Sequence, residues 1–192
     1  MKEVIGIVAA ALAFVAYGPY LRDMFRGKTY PHPYSWFIWG FLTAIIFALQ
    51  ISHGGGAGSY VTATVAVLSF VIFFFGLKEG VKDITRSDTI FFILALVATG
   101  AWLFAKQPTL SMVLLVGIDI LGFLPTVRKA WSNPQGETLF TWSLNSFRHA
   151  LSIVAIQKYS LLTVLNPTVW ALANFAFSIM LIVRRRQLFH PK

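Results

Sequence analysis

The chain has no cysteine, seven acidic residues among its 192, and no polar stretch long enough to make a soluble domain. Each shortage excludes something. Without cysteine there are no disulfides, no thiol nucleophile and no thiolate-held metal, while the compartment stays open. Charged residues make up 12% of the chain, against about a quarter in a soluble domain, so a water-exposed globule is not expected. There is no pair of carboxylates at catalytic spacing, no metal-ligand spacing among the four histidines, no Walker sequence and no serine elbow. Neither an enzymatic activity nor a cofactor is therefore expected. The last apolar stretch contains no lysine, which argues against a retinal Schiff base. His32, His53 and His190 fall outside the apolar stretches and read as solvated residues.

What the chain has in abundance is apolar length: 57% of it is hydrophobic and the mean hydropathy is +0.70. A membrane-spanning helix needs about 20 mostly apolar residues. Seven stretches qualify, at roughly 3–21, 34–52, 58–77, 88–105, 108–128, 138–157 and 162–183. The first begins like a signal peptide but stays apolar to Leu21 without a small-x-small cleavage site, so a retained span is expected. Pro31, Pro33, the run Gly54–Gly56, Pro108, Pro134 and Gly136 punctuate the connectors. The net charge of +9 sits mostly in those connectors, which points to topology rather than nucleic-acid binding. Lys2, Lys106 and Lys158 fall on one side and twelve Lys or Arg on the other, with Arg148 left inside a span. The positive-inside rule then puts the amino terminus outside and the carboxyl terminus in the cytoplasm, as in a multi-pass protein of the cytoplasmic (inner) membrane.

The chain also repeats itself. Sliding it by 106 residues aligns Pro19 with Pro125, Arg22 with Arg128, Trp36 with Trp142, Phe41 with Phe147, Ala44 with Ala150 and Thr62 with Thr168. Four spans separate the copies, so both keep the same orientation in the membrane. The expected fold class is an all-α integral membrane protein with seven transmembrane helices in a parallel 3+1+3 repeat of triple-helix bundles. Residues 1–77 form the first bundle, 78–107 carry the linker helix (span four), and 108–192 hold the second bundle and a cytoplasmic tail.

Polar residues inside the spans mark the candidate site. At about 100° per residue, Thr141, Trp142, Asn145, Arg148, His149 and Ser152 fall within about 60° of Asn145 on a helical wheel. An arginine near mid-bilayer costs at least about 2.5–3.5 kcal/mol unless a partner or water receives it. Asp119 lies at similar depth in span five, so an Asp119–Arg148 ion pair is expected, either as a structural staple or as part of a substrate pathway. Asp119 and His149 are also the candidates for proton uptake, histidine being the side chain that titrates near neutral pH. In span two, Ser35, Trp36, Trp39 and Thr43 overlay Thr141, Trp142, Asn145 and His149 of span six. Trp36 and Trp142 read either as an interfacial aromatic belt or as cavity walls on which a flat solute stacks. Asn166, Trp170, Asn174 and Ser178 recur every four residues in span seven, and Asn174 needs a partner helix or a solute. Pro19 and Pro125, near matched span ends, read either as helix terminators or as a paired hinge.

On these features the chain is similar to the PQ-loop and SWEET superfamily of small-solute transporters. The resemblance rests on the three-plus-one-plus-three repeat, the outside amino terminus and the prolines before basic loops. The family's Pro-Gln reads Pro19-Tyr20 and Pro125-Thr126 here, and its pocket asparagine is matched by Asn174 and replaced by Leu68 in the first half. The Trp36-x-x-Trp39 pair resembles that of nicotinamide riboside transporters, and Asp119 resembles the intramembrane acid of proton-coupled PQ-loop carriers. The resemblance implies a transporter of a small polar solute working by alternating access, facilitated or proton-coupled. Trp36, Trp39, Thr43, Trp142, Asn145, Arg148, His149 and Asn174 would bind a sugar, nucleoside, amino acid or organic acid. Membrane lipids are the other expected partners, nucleic acid is not one, and a homo-oligomer is left open. The alternative is a non-transporting membrane receptor or assembly factor that binds a peptide or lipid headgroup, against which the short loops argue.

Overall fold

The computed structural model describes residues 1–79, 85–86, 89–90, 92–94, 96–97, 104 and 107–189. The expected fourth span, 88–105, lies largely outside the described residues, as do most of the linker and His190. Six α-helices are bounded among those described: α1 (Lys2–Phe25), α2 (Pro33–Ser52), α3 (Tyr60–Glu79), α4 (Pro108–Ser132), α5 (Leu139–Ala155) and α6 (Leu161–Phe189). No strand occurs among the described residues. Proline opens α2 and α4, where a missing N–H costs nothing and φ is already helical. Past the end of α1, Gly27 takes a positive φ of 66°, a left-handed stop that a side chain disfavours.

Among the described residues five helices are long and apolar enough to cross a membrane. Their outward faces carry exposed Phe14, Val67, Phe74, Leu172 and Phe175. The interior, in contrast, holds Ser35, Thr43, Gln50, Asp119, Asn145, Arg148 and Asn174, all buried. Apolar side chains facing outward, with polar ones among those buried, reverse the pattern of a water-soluble globule and fit a multi-pass membrane protein. The remaining helix, α5, has 17 residues and the most one-sided distribution of polarity.

Helices α1, α4 and α6 run further than the apolar stretches predict. Arg22 lies inside α1, Arg128 and Lys129 inside α4, and Arg184–Arg186 inside α6, rather than in connectors. Lys and Arg are good helix formers and favour the carboxyl end of the macrodipole, so a basic residue need not end a helix. Pro19 and Pro125 likewise lie within continuous helices.

Order along the chain is not order in space. Helix α1 packs against α3 and α5, α2 against α3 and α4, and α6 against both α4 and α5. Gly6, Ala9, Ala13 and Ala16 form the buried stripe of α1, small enough for a close approach to its neighbours. Aromatic residues of α1, α2, α4, α5 and α6 meet in one buried cluster centred on Trp39, whose ring lies 4.8 Å from that of Trp36, 5.7 Å from Trp170 and 5.8 Å from Phe123. A second core of Ile38, Leu42, Ile46, Met112, Leu115 and Ile118 joins α2 to α4.

Two glycines in this frame should respond oppositely to substitution. A Cβ on Gly58 would lie 2.7 Å from the Ile156 side chain and 2.9 Å from its backbone, while one on Gly117 would meet nothing within 4 Å. Gly58→Ala is expected to destabilise by about 2 kcal/mol through overpacking. Gly117→Ala should stabilise α4 by about 0.5–1 kcal/mol, since alanine loses less backbone entropy. Thermal unfolding of the two purified variants checks both signs.

Candidate functional site

The buried residues of α5 are Thr141, Trp142, Asn145, Arg148, His149, Ser152 and Ala155. Their 3.6-residue period puts them on one face, and Phe147 and Val154 point away from it and are exposed. Helix α1 receives part of this face: Thr141 Oγ1 donates to the Ala16 carbonyl at 2.7 Å, and the Arg148 guanidinium lies 5.6 Å from the centre of the Tyr17 ring.

A cavity opens where α1, α2 and α3 meet α5 and α6. All eight residues expected to bind substrate line it: Trp36, Trp39 and Thr43 from α2, Trp142, Asn145, Arg148 and His149 from α5, and Asn174 from α6. Tyr17, Thr62, Val65, Ser69, Asn166 and Trp170 complete the lining. Of these, Tyr17 went unnoticed in the sequence, although it sits on the buried stripe of α1 and the 106-residue offset pairs it with Phe123 of the aromatic cluster. Thr62 and Ser69 were overshadowed because isolated hydroxyls are common inside helices.

The two tryptophans that allowed an interfacial reading are interior residues. Trp36 is 2% exposed and donates Nε1 to the Tyr20 hydroxyl at 3.3 Å. Trp142 is 3% exposed and donates Nε1 to Glu137 Oε2 at 3.0 Å. The belt reading needs contact with the membrane–water boundary, which burial removes. His32, read as solvated, is also buried, whereas half-buried His53 turns Nδ1 to the Leu49 carbonyl at 2.9 Å.

The expected Asp119–Arg148 ion pair does not form among the described residues. Asp119 Oδ2 instead accepts from Trp170 Nε1 at 2.5 Å, and its backbone carbonyl accepts from Trp39 Nε1 at 3.3 Å. Arg148 donates Nε to Asn145 Oδ1 at 2.8 Å. The physical reason is packing order: α4 does not pack along α5, because α6 lies against both and inserts Trp170 beside Asp119. Ser178, the last of the four-residue series, leaves the cavity to meet Ser143 at 3.2 Å.

Several buried atoms of the site have no hydrogen-bond partner among the described residues. They are Arg148 Nη1, Asn166 Nδ2, Asn174 Oδ1 and Ser69 Oγ on the cavity lining, and Asp119 Oδ1 behind Trp170. Buried polar groups are almost always paired, so this concentration sets the cavity apart from the packed core around it. Among the described residues no three His, Asp or Glu side chains gather to hold a metal ion.

The ends of the bundle are tied differently. At one end Thr138 Oγ1 donates to Asp23 Oδ2 at 3.1 Å and meets Thr29 Oγ1 at 2.9 Å, Lys129 pairs with buried Glu137, and Arg185 donates to the Pro134 and Glu137 carbonyls. At the other, Lys2 Nζ donates to the Ile156 carbonyl at 2.7 Å, and Gln157 and Lys158 donate backbone N–H groups to Gly55 and Gly54. No family model, curated protein or solved structure matches the chain.

Proposed function

We propose that this chain is a seven-helix transporter that moves a small polar solute by alternating access between two three-helix repeats. The observation that carries the reading is the aromatic-walled cavity, lined from both ends of the sequence, with unpartnered polar atoms inside an otherwise apolar-faced bundle. A cavity between repeats is where such carriers hold their solute.

The packing supports the repeat. Exchanging α1 with α4, α2 with α5 and α3 with α6 turns α1–α3 into α4–α6, α2–α3 into α5–α6, and α1–α5 into α2–α4, each of them a packed pair. The expected span over 88–105 would link the halves. Helix α5 would be the remaining span: at about 1.5 Å per residue its length reaches about 26 Å, the short end of what a bilayer core requires. The basic cluster of Arg22, Lys129 and Arg184–Arg186 at one end supports a cytoplasmic carboxyl terminus, with the amino terminus outside. Pro19 and Pro125 remain candidate hinges, each leaving one backbone carbonyl without its usual helical donor.

Counterflow in reconstituted vesicles tests the reading with a panel of sugars, nucleosides, amino acids and organic acids. One class is expected to exchange saturably, and Asn174→Leu should slow that exchange severalfold. Ligand binding without saturable exchange by any solute would sink the transporter reading in favour of a receptor. An imposed proton gradient separates the two modes. Acceleration that disappears in Asp119→Asn assigns coupling to that carboxyl, and indifference to the gradient assigns facilitated transport.

A further inference from the structure

We propose that the cavity selects small monoanions made of a carboxylate on a flat, apolar ring, the aromatic-carboxylate class. The inference rests on the transport reading of the same cavity and names its substrate class. The charge balance of the lining comes first. Among the described residues Arg148 is its one Lys or Arg, 1% exposed, and no Asp or Glu lines the cavity with it. Its Nε is held by Asn145 and its Nη1 has no partner. Asp119, the acid the sequence offers as counter-charge, is engaged by Trp170 instead. A buried guanidinium without an anion is costly, and a guest carboxylate supplies both the missing charge and the missing acceptor.

The shape of the cavity comes second. Tyr17, Trp36, Trp39, Trp142 and Trp170 form its walls, with Trp39 set edge-on to Trp36, Trp142 and Trp170. Such faces and edges receive a conjugated ring at little entropic cost. The third observation is Asn174. Its Nδ2 is used by the Trp170 carbonyl at 2.7 Å, which leaves Oδ1 as a free acceptor in the lining. A hydroxyl on the ring, away from the carboxylate, would satisfy it.

The same inventory disfavours the other classes. A sugar leaves Arg148 uncompensated. An amino-acid zwitterion brings an ammonium into the field of Arg148 with no carboxylate among the described lining residues to receive it. A cation meets the wrong charge outright.

Calorimetric titration of the purified chain with benzoate, para-hydroxybenzoate, benzamide, benzylamine and phenylalanine tests the class. Saturable binding of the two carboxylates is expected, tighter for the hydroxylated one, with benzamide, benzylamine and phenylalanine at least tenfold weaker. Arg148→Gln should weaken carboxylate binding about 30-fold or more. Its monodispersity and helical circular dichroism report whether it folds, and the comparison of ligands on the unmutated chain stands without it. Equal or tighter binding of benzamide, benzylamine or phenylalanine overturns the class, as does carboxylate binding unchanged in a folded Arg148→Gln or no carboxylate binding at all. Counterflow separates this inference from the reading beneath it. Carboxylate binding without counterflow keeps the ligand class and overturns transport. Saturable counterflow of a neutral solute that survives Arg148→Gln keeps transport and overturns the class.

Discussion

Arg148→Met is expected to slow solute counterflow by at least about 30-fold, the kinetic equivalent of about 2 kcal/mol, while shifting the stability of the purified protein by less than about 1 kcal/mol. Two opposing effects lead to that second half. The substitution loses the 2.8 Å bond to Asn145 and the contact with the Tyr17 ring, worth about 1.5–3 kcal/mol for a bond to a charged group. It also removes a buried cation that no carboxylate compensates, whose cost in a membrane interior is at least about 2.5–3.5 kcal/mol. Methionine keeps the helical preference and most of the length. Were Arg148 a structural staple, breaking it would cost about 3–5 kcal/mol, and thermal unfolding would show the loss at once. A variant that loses both stability and exchange would return Arg148 to that structural role.

Glu137→Ala should destabilise the protein by about 3 kcal/mol, the low end for breaking a buried ion pair. Glu137 is 2% exposed, pairs with Lys129, and accepts Trp142 Nε1 at 3.0 Å. Alanine leaves that indole without its acceptor and Lys129 without its acid. The lysine side chain is 14% exposed and also donates to the Tyr30 carbonyl, so it retains some solvation, which is why the low end applies. Glu137→Gln should cost less, because its amide oxygen can still accept from Trp142. Equal unfolding temperatures for Glu137→Ala and the unmutated chain would refute this account. Because Trp142 also lines the cavity, Glu137→Ala should change ligand affinity as well as stability, and tryptophan fluorescence reads both.

Part of the site was legible because α5 has a period. A helix that must bury one face in a protein and show the other to lipid segregates its residues, so Asn145, Arg148 and His149 could be assigned to the same interior face from spacing alone. Trp36 and Trp39 were found for the same reason, and the 106-residue offset tied them to Trp142 and Asn145. Glu137 escaped notice because it lies in a connector with no periodicity to show whether its side chain is buried. His32 escaped for that reason too.

Composition, hydropathy and periodicity by themselves determined the helical membrane character, the approximate positions of the helices and the polar face of α5. These are properties of single segments, fixed by the length of an apolar run and the pitch of a helix. Which helices touch was decided by the tertiary structure alone. Depth in the chain placed Asp119 level with Arg148, yet α6 packs against both α4 and α5 and gives Asp119 to Trp170. A sequence fixes how far along a helix a charge lies and which side it faces, but partner choice depends on the lateral order of the helices, which one-dimensional periodicity does not encode.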